Sequence, residues 1–99
     1  MPRYINIGFV NLKPGSRALA EGVADQGAGA FAQVPGFQSV TFFLDEERSV
    51  YGAVSFWDSK ASAEASEGML NPGFTAAFGD SLLGEINVQV YEVYEPKGS

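Results

Sequence analysis

Without histidine or cysteine, this chain must do any chemistry with amides, phenols, carboxylates and one indole. The commonest general base, the commonest metal ligand and the thiolate nucleophile are all missing. Zinc held by His or Cys, haem ligated by His, and Ser-His-Asp catalysis go with them. Three side chains remain of interest on strand-like segments: Asn6, Tyr51 and Trp57. Asn6 can serve as a pocket hydrogen-bond donor or as an internal amide satisfied by a neighbouring strand. Tyr51 can hydrogen-bond a phenol or carbonyl; near neutral pH a phenol is an acid and a poor base. Trp57 can stack on an aromatic ligand or plug the end of a strand. Phe31, Met69, Phe74 and Phe78 offer either an apolar pocket wall or ordinary core packing.

In such a set, proton removal falls to a carboxylate, a Tyr or the substrate's own acidity. An acidic phenol or enol supplies its own carbanion. Oxygenation without a cofactor then asks the protein mainly for orientation and electrostatic stabilisation. Asn, Trp and Tyr can provide those, so no cofactor and no metal are expected. Asp45, Glu46 and Glu47 are adjacent but lack the spacing of a calcium loop, and read as a solvated turn. Gly27-Ala28-Gly29-Ala30-Phe31-Ala32 fits a loose G-x-G-x-x-A pattern. It lies late in a helical stripe rather than between a strand and a helix, so it reads as close packing.

The balance of 12 acidic to 6 basic residues, with the basic ones scattered, leaves no stripe to neutralise phosphates. Nucleic acid and an anionic membrane surface are therefore poor partners. No apolar run of roughly 18 residues and no leader pattern occurs, so a soluble cytoplasmic protein is expected. The 99 residues fit one domain spanning 1–99.

The elements that must hold these side chains can be read from periodicity. Arg3 to Leu12 alternates, with Ile5, Ile7 and Phe9 opposite Tyr4, Asn6, Gly8 and Val10. A turn at Pro14-Gly15 leads to a helix capped by Ser16, with a stripe at Leu19, Val23, Gly27, Ala30 and Val34. Pro35-Gly36 ends it. Phe37 to Leu44 alternates again, setting Gln38, Val40, Phe42 and Leu44 against Phe37, Ser39, Thr41 and Phe43. Val50 to Trp57 is a third strand, with Tyr51, Ala53, Ser55 and Trp57 on one face. Asp58 or Ser59 caps a second helix through about Glu67. Asn71-Pro72-Gly73-Phe74 breaks the chain beyond that helix, a short helix spans Phe74 to Leu82, and Ile86 to Tyr94 is the last strand.

The order β-α-β-β-α-β is the ferredoxin-like arrangement, an α+β fold with an antiparallel sheet and helices on one face. Neither sheet face reads as plain solvent surface, so the uncovered face is expected to meet a second copy in a homodimer. The mixed face, with Tyr4, Asn6, Ser39, Thr41, Tyr51, Trp57, Asn87, Gln89 and Tyr91, is expected under the helices. The aliphatic face, with Ile5, Ile7, Phe9, Val54, Phe56, Val88 and Val90, is expected in the dimer interior.

Val34-Pro35-Gly36-Phe37 before a strand, and Tyr51-Gly52-Ala53-Val54-Ser55-Phe56-Trp57-Asp58-Ser59-Lys60-Ala61, a strand ending in Trp followed by an acidic-Ser helix start, complete a pattern. It resembles the antibiotic biosynthesis monooxygenase domain of the dimeric α+β barrel superfamily, over roughly residues 3–95. The resemblance implies a homodimer with two sheets forming a barrel. Members include cofactor-independent monooxygenases acting on aromatic polyketides, and haem-degrading monooxygenases. In the haem-degrading group an Asn on the first strand faces the cavity, and Asn6 occupies a similar place. That group also carries a Trp late in the second helix and an iron-binding His after it. Here those places fall near Ser66 and in Gly73-Phe74-Thr75, which argues against haem. The segment Met69 to Phe74 is expected to close the pocket with apolar and amide groups. The expected activity is cofactor-independent oxygenation of a small phenolic, enolic or quinone-type aromatic. Asn6 and Tyr51 would be catalytic, and Phe31, Trp57, Met69, Phe74 and Phe78 would contact the substrate. The alternatives are a non-catalytic binder of a small hydrophobic ligand, and an isomerase or lyase of the same superfamily.

Overall fold

The computed structural model of the protein describes residues 3–97. Four strands, β1 (Tyr4–Leu12), β2 (Phe37–Asp45), β3 (Val50–Trp57) and β4 (Leu82–Glu92), form one antiparallel sheet in the order β2-β3-β1-β4. Two helices, α1 (Arg17–Ala32) and α2 (Lys60–Phe78), pack on one face. The chain is therefore α+β and ferredoxin-like. No helix among the described residues is long and apolar enough to cross a membrane.

The helices cover the face that carries Asn6, Val10, Leu12, Tyr51, Ser55 and Trp57, all of them buried. For β1 and β3 this is the expected mixed face. For β2 and β4 the expected assignment is reversed. Val88 and Val90 pair with Gly8 and Asn6, so they lie under the helices, and Asn87, Gln89 and Tyr91 face the other way. In β2 the register against β3 shifts between Phe37 and Ser39. The extra residue, Gln38, is a bulge, so Phe37, Val40 and Phe42 share the inner face, while Ser39, Thr41 and Phe43 turn outward. The open face thus combines Ile5, Ile7, Phe9, Phe43, Val54, Phe56 and Tyr91 with a few polar residues.

The helices differ from their sequence reading in three ways. Ser16 stands at the start of α1, but its hydroxyl donates to the Lys13 carbonyl (2.6 Å) and caps no helix N–H. The buried stripe of α1 is Ala20, Val23, Gly27 and Phe31, with Leu19 and Ala30 exposed. The helix is turned by about one residue from the expected stripe, which lets Phe31 enter the core. Finally, α2 does not stop near Glu67: it runs unbroken through Pro72 to Phe78. Proline removes one helical hydrogen bond, to the carbonyl of Gly68. Gly68 and Pro72 are both exposed, so water can take that carbonyl, while Leu70 and Phe74 on the buried side hold the helix in place.

Ser59 caps α2 by accepting from the Ser62 backbone N–H (3.1 Å). The Pro35-Gly36 turn docks on this cap. The Asp58 N–H donates to the Gly36 carbonyl (3.0 Å), and Gly36 has a φ of 88°. A side chain there would be strained by its backbone and would collide with Asp58 and Ser62. Gly27 plays a packing role, as expected: a Cβ at that position would lie 2.8 Å from the Phe74 ring, so the glycine sets the spacing of α1 and α2.

Candidate functional site

Between the helices and the sheet lies a cavity of about 350 Å³. Phe31, Phe42, Phe74, Phe78, Leu70 and Val88 give it apolar walls, and Gly8 lends it bare backbone. A size and lining of this kind suit a small organic ligand. The aromatic walls are interlocked. The Phe31 ring lies 5.8 Å from Phe74 and 6.1 Å from Phe42, centroid to centroid, so the elements α1, α2 and β2 are tied together on one ring.

Asn6 projects from β1 towards α2 and is 7 % exposed. Its Nδ2 donates to the Ala63 carbonyl (3.2 Å) and to Ser66 Oγ (3.2 Å). A carbonyl can only accept, so the amide nitrogen must point that way, and both of its hydrogens are used. Among the described residues no group donates to Oδ1. Since no buried side-chain polar atom among them is left without a partner, Oδ1 keeps access to the cavity that Asn6 lines. The amide therefore presents an acceptor to the cavity, whereas the sequence suggests a donor.

Tyr51 is 5 % exposed and lines the same cavity. Its hydroxyl has no hydrogen-bond partner among the described residues, and by the same accounting it opens to the cavity. Asn71 adds a second amide from α2. Phe31, Phe74 and Phe78 take the wall positions expected of them. Trp57 and Met69 do not join them. Trp57 is fully buried, its Nε1 donating to Ser55 Oγ (2.8 Å) and its ring meeting Phe37 edge-on at 5.6 Å. The Gln38 bulge brings Phe37 onto this face and completes the cage around the indole. Met69 is 59 % exposed and lies on the outer side of α2, in a shallow groove between the helices. The unbroken helix carries it there: one position along, Leu70 faces the cavity instead.

Sequence reasoning missed the part played by Ser66. Its hydroxyl donates to the Ala63 carbonyl (2.6 Å) and accepts from Asn6, which holds the amide in one orientation. A signal existed in the spacing of Ala63, Ser66 and Leu70, a helical stripe containing one small polar residue.

Three carboxylates, Glu21, Asp25 and Glu67, stand around the cavity, and no described residue lining it is Lys or Arg. Glu21 is paired with Arg17 (3.2 Å), which also reaches Glu46 (3.2 Å). These hydrogen bonds, first that to Glu21, raise the affinity of the Arg17 guanidinium for its proton. Asp25 and Glu67 form no ion pair among the described residues. No group of three or more acidic side chains among the described residues is placed to hold a metal ion.

The sequence profile of the antibiotic biosynthesis monooxygenases matches residues 3–79. The chain belongs to that family. Solved structures agree on the fold. A protein of unknown function from Nitrosomonas europaea, NE2512, is 15 % identical with a TM-score of 0.81, over 98 % of this chain and 94 % of that one. Rv0793 from Mycobacterium tuberculosis is 13 % identical with a TM-score of 0.74, over 97 % and 99 %. SnoaB, a cofactor-independent oxygenase from Streptomyces nogalater, is 16 % identical with a TM-score of 0.73, over the whole of both chains. No curated protein sequence matches this family member significantly.

Proposed function

We propose that this family member oxygenates a small phenolic or enolic aromatic without a cofactor, as SnoaB is described as a cofactor-independent oxygenase. One observation carries the reading. The free oxygen of Asn6 and the free hydroxyl of Tyr51 open into the same Phe-walled cavity. An activated methylene compound in its enol form donates its O–H to Asn6 Oδ1. Dioxygen adds at the former methylene carbon, the enol proton passes to the new peroxide, and the carbonyl re-forms. The hydroperoxide then loses water: the C–H proton leaves, the O–O bond breaks and a ketone results. Both atoms and all four electrons of dioxygen are accounted for, one oxygen in the ketone and one in water. Asn6 orients the enol, Tyr51 donates to a developing carbonyl or peroxide oxygen, and the aromatic walls exclude bulk water.

The open sheet face supports a homodimer as the working form. It carries three Phe, two Ile, one Val and one Tyr on a surface that the protein's own helices leave uncovered.

The test is an oxygen electrode with an anthrone-like substrate and purified protein, no cofactor added. Saturable uptake of one dioxygen per substrate, lost in Tyr51→Phe, is expected. Saturable binding with no uptake above the uncatalysed rate would leave a carrier of small hydrophobic ligands, the second reading, which the lack of a catalytic base favours.

A further inference from the structure

Building on this reading of the cavity as a ligand site, we infer that it selects an uncharged ligand by a hydroxyl or N–H that donates to Asn6 Oδ1, and that it excludes carboxylates and phenolates. Two independent observations point the same way. The first is hydrogen-bond polarity. Both hydrogens of the Asn6 amide are committed to Ala63 and Ser66, so this residue, more than nine-tenths buried, offers only a lone pair. A ligand oxygen without a hydrogen would set two acceptors face to face, leaving Asn6 Oδ1 desolvated and unpaired.

The second is charge. An anion in the cavity meets no Lys or Arg among the described lining residues. It would give up its hydration for a phenol and an amide, which do not replace an ion partner. Arg17, the nearest candidate by sequence, is occupied by Glu21 and Glu46. Asp25 and Glu67, unpaired among the described residues, add repulsion at the rim. The reactive species in the cavity is thus the neutral enol or phenol, and the substrate carries its acids, if any, as esters or amides.

Three probes of one size separate these effects: naphthol, methoxynaphthalene and naphthoate, titrated against the protein by isothermal calorimetry at neutral pH and low salt. Naphthol should bind about tenfold more tightly than methoxynaphthalene, which lacks the donor, and at least about tenfold more tightly than naphthoate. The surface double variant Asp25→Asn with Glu67→Gln should strengthen naphthoate binding severalfold and leave naphthol unchanged. Equal affinity of wild type for naphthol and methoxynaphthalene, or for naphthol and naphthoate, overturns the inference while the cavity remains a ligand site. If none of the three binds, the cavity is not a ligand site, and the functional reading falls with it.

Discussion

Ser66 Oγ accepts a hydrogen bond from Asn6 Nδ2 at 3.2 Å, joining the second helix to the first strand across 60 residues of sequence. Both groups are buried, and the link decides which end of the Asn6 amide looks into the cavity.

Replacing Ser66 with Ala leaves one buried amide hydrogen without its partner. A loss of about 1–2 kcal/mol in urea unfolding is expected. The freed hydrogen can then turn toward the cavity, so the preference for hydroxyl-bearing over hydroxyl-free ligands should shrink. Unchanged stability and unchanged ligand preference would show that the link is incidental.

Gly8 lines the cavity, and a Cβ there would meet only Val88 at ordinary distance, 3.4 Å, and the Asn87 carbonyl oxygen at 3.6 Å. Gly8→Val should therefore fill ligand space with little strain. Thermal stability within about 1 kcal/mol of wild type is expected, since a β-branched residue suits a strand. Ligand binding and oxygen uptake should both be lost. Full binding in a folded Gly8→Val protein would move the site elsewhere.

Trp57→Ala removes a fully buried indole that touches Phe31 and Phe37. A cost of about 3–5 kcal/mol is expected, a large part of the ~5–15 kcal/mol typical of a domain. Chemical denaturation should register it as a large fall in midpoint. A well-folded variant whose only defect is ligand affinity would contradict the structural role of this residue.

Val54 lies at the middle of the open face, paired with Ile7 on one side and Thr41 on the other. Val54→Lys should convert a dimer into a monomer without disturbing the helix-covered core. Light scattering at micromolar concentration is the measurement. A wild-type protein with monomer mass would remove the two-sheet barrel.

How much of this was legible in the sequence depended on whether a signal was local. The element order and the placing of Asn6, Tyr51 and Trp57 under the helices could be read from alternation, because β1 and β3 alternate without interruption along their mutual pairing. The sides of β2 and β4 were not legible. Gln38 adds a residue to β2, and the span around Gly84, with a φ of 84°, adds residues to β4 opposite Phe9 and Asn11. Such irregularities are set by pairing with a neighbour and leave little local trace. Pro72 misled for the opposite reason. It is a strong local breaker, and it was overruled by Leu70 and Phe74 packing into the core. The polarity of Asn6 could be fixed only when Ala63 and Ser66 stood beside it, about 60 residues away.

The bulge at Gln38 behaves like a spare letter in a two-letter metre. With it present, Phe37 and Val40 fall on the same beat although three positions separate them. Strike it out, and Phe37, Val40 and Phe42 would keep time by simple alternation, with Ser39 and Thr41 still off the beat. The shortened strand would therefore scan unaltered, at the expense of one exposed hydrogen bond, from Arg3 Nε to Gln38 Oε1. Length in this family can thus vary by one residue at this spot while every inward side chain keeps its address. Relatives aligned without a gap there would have their second strands compared inside out.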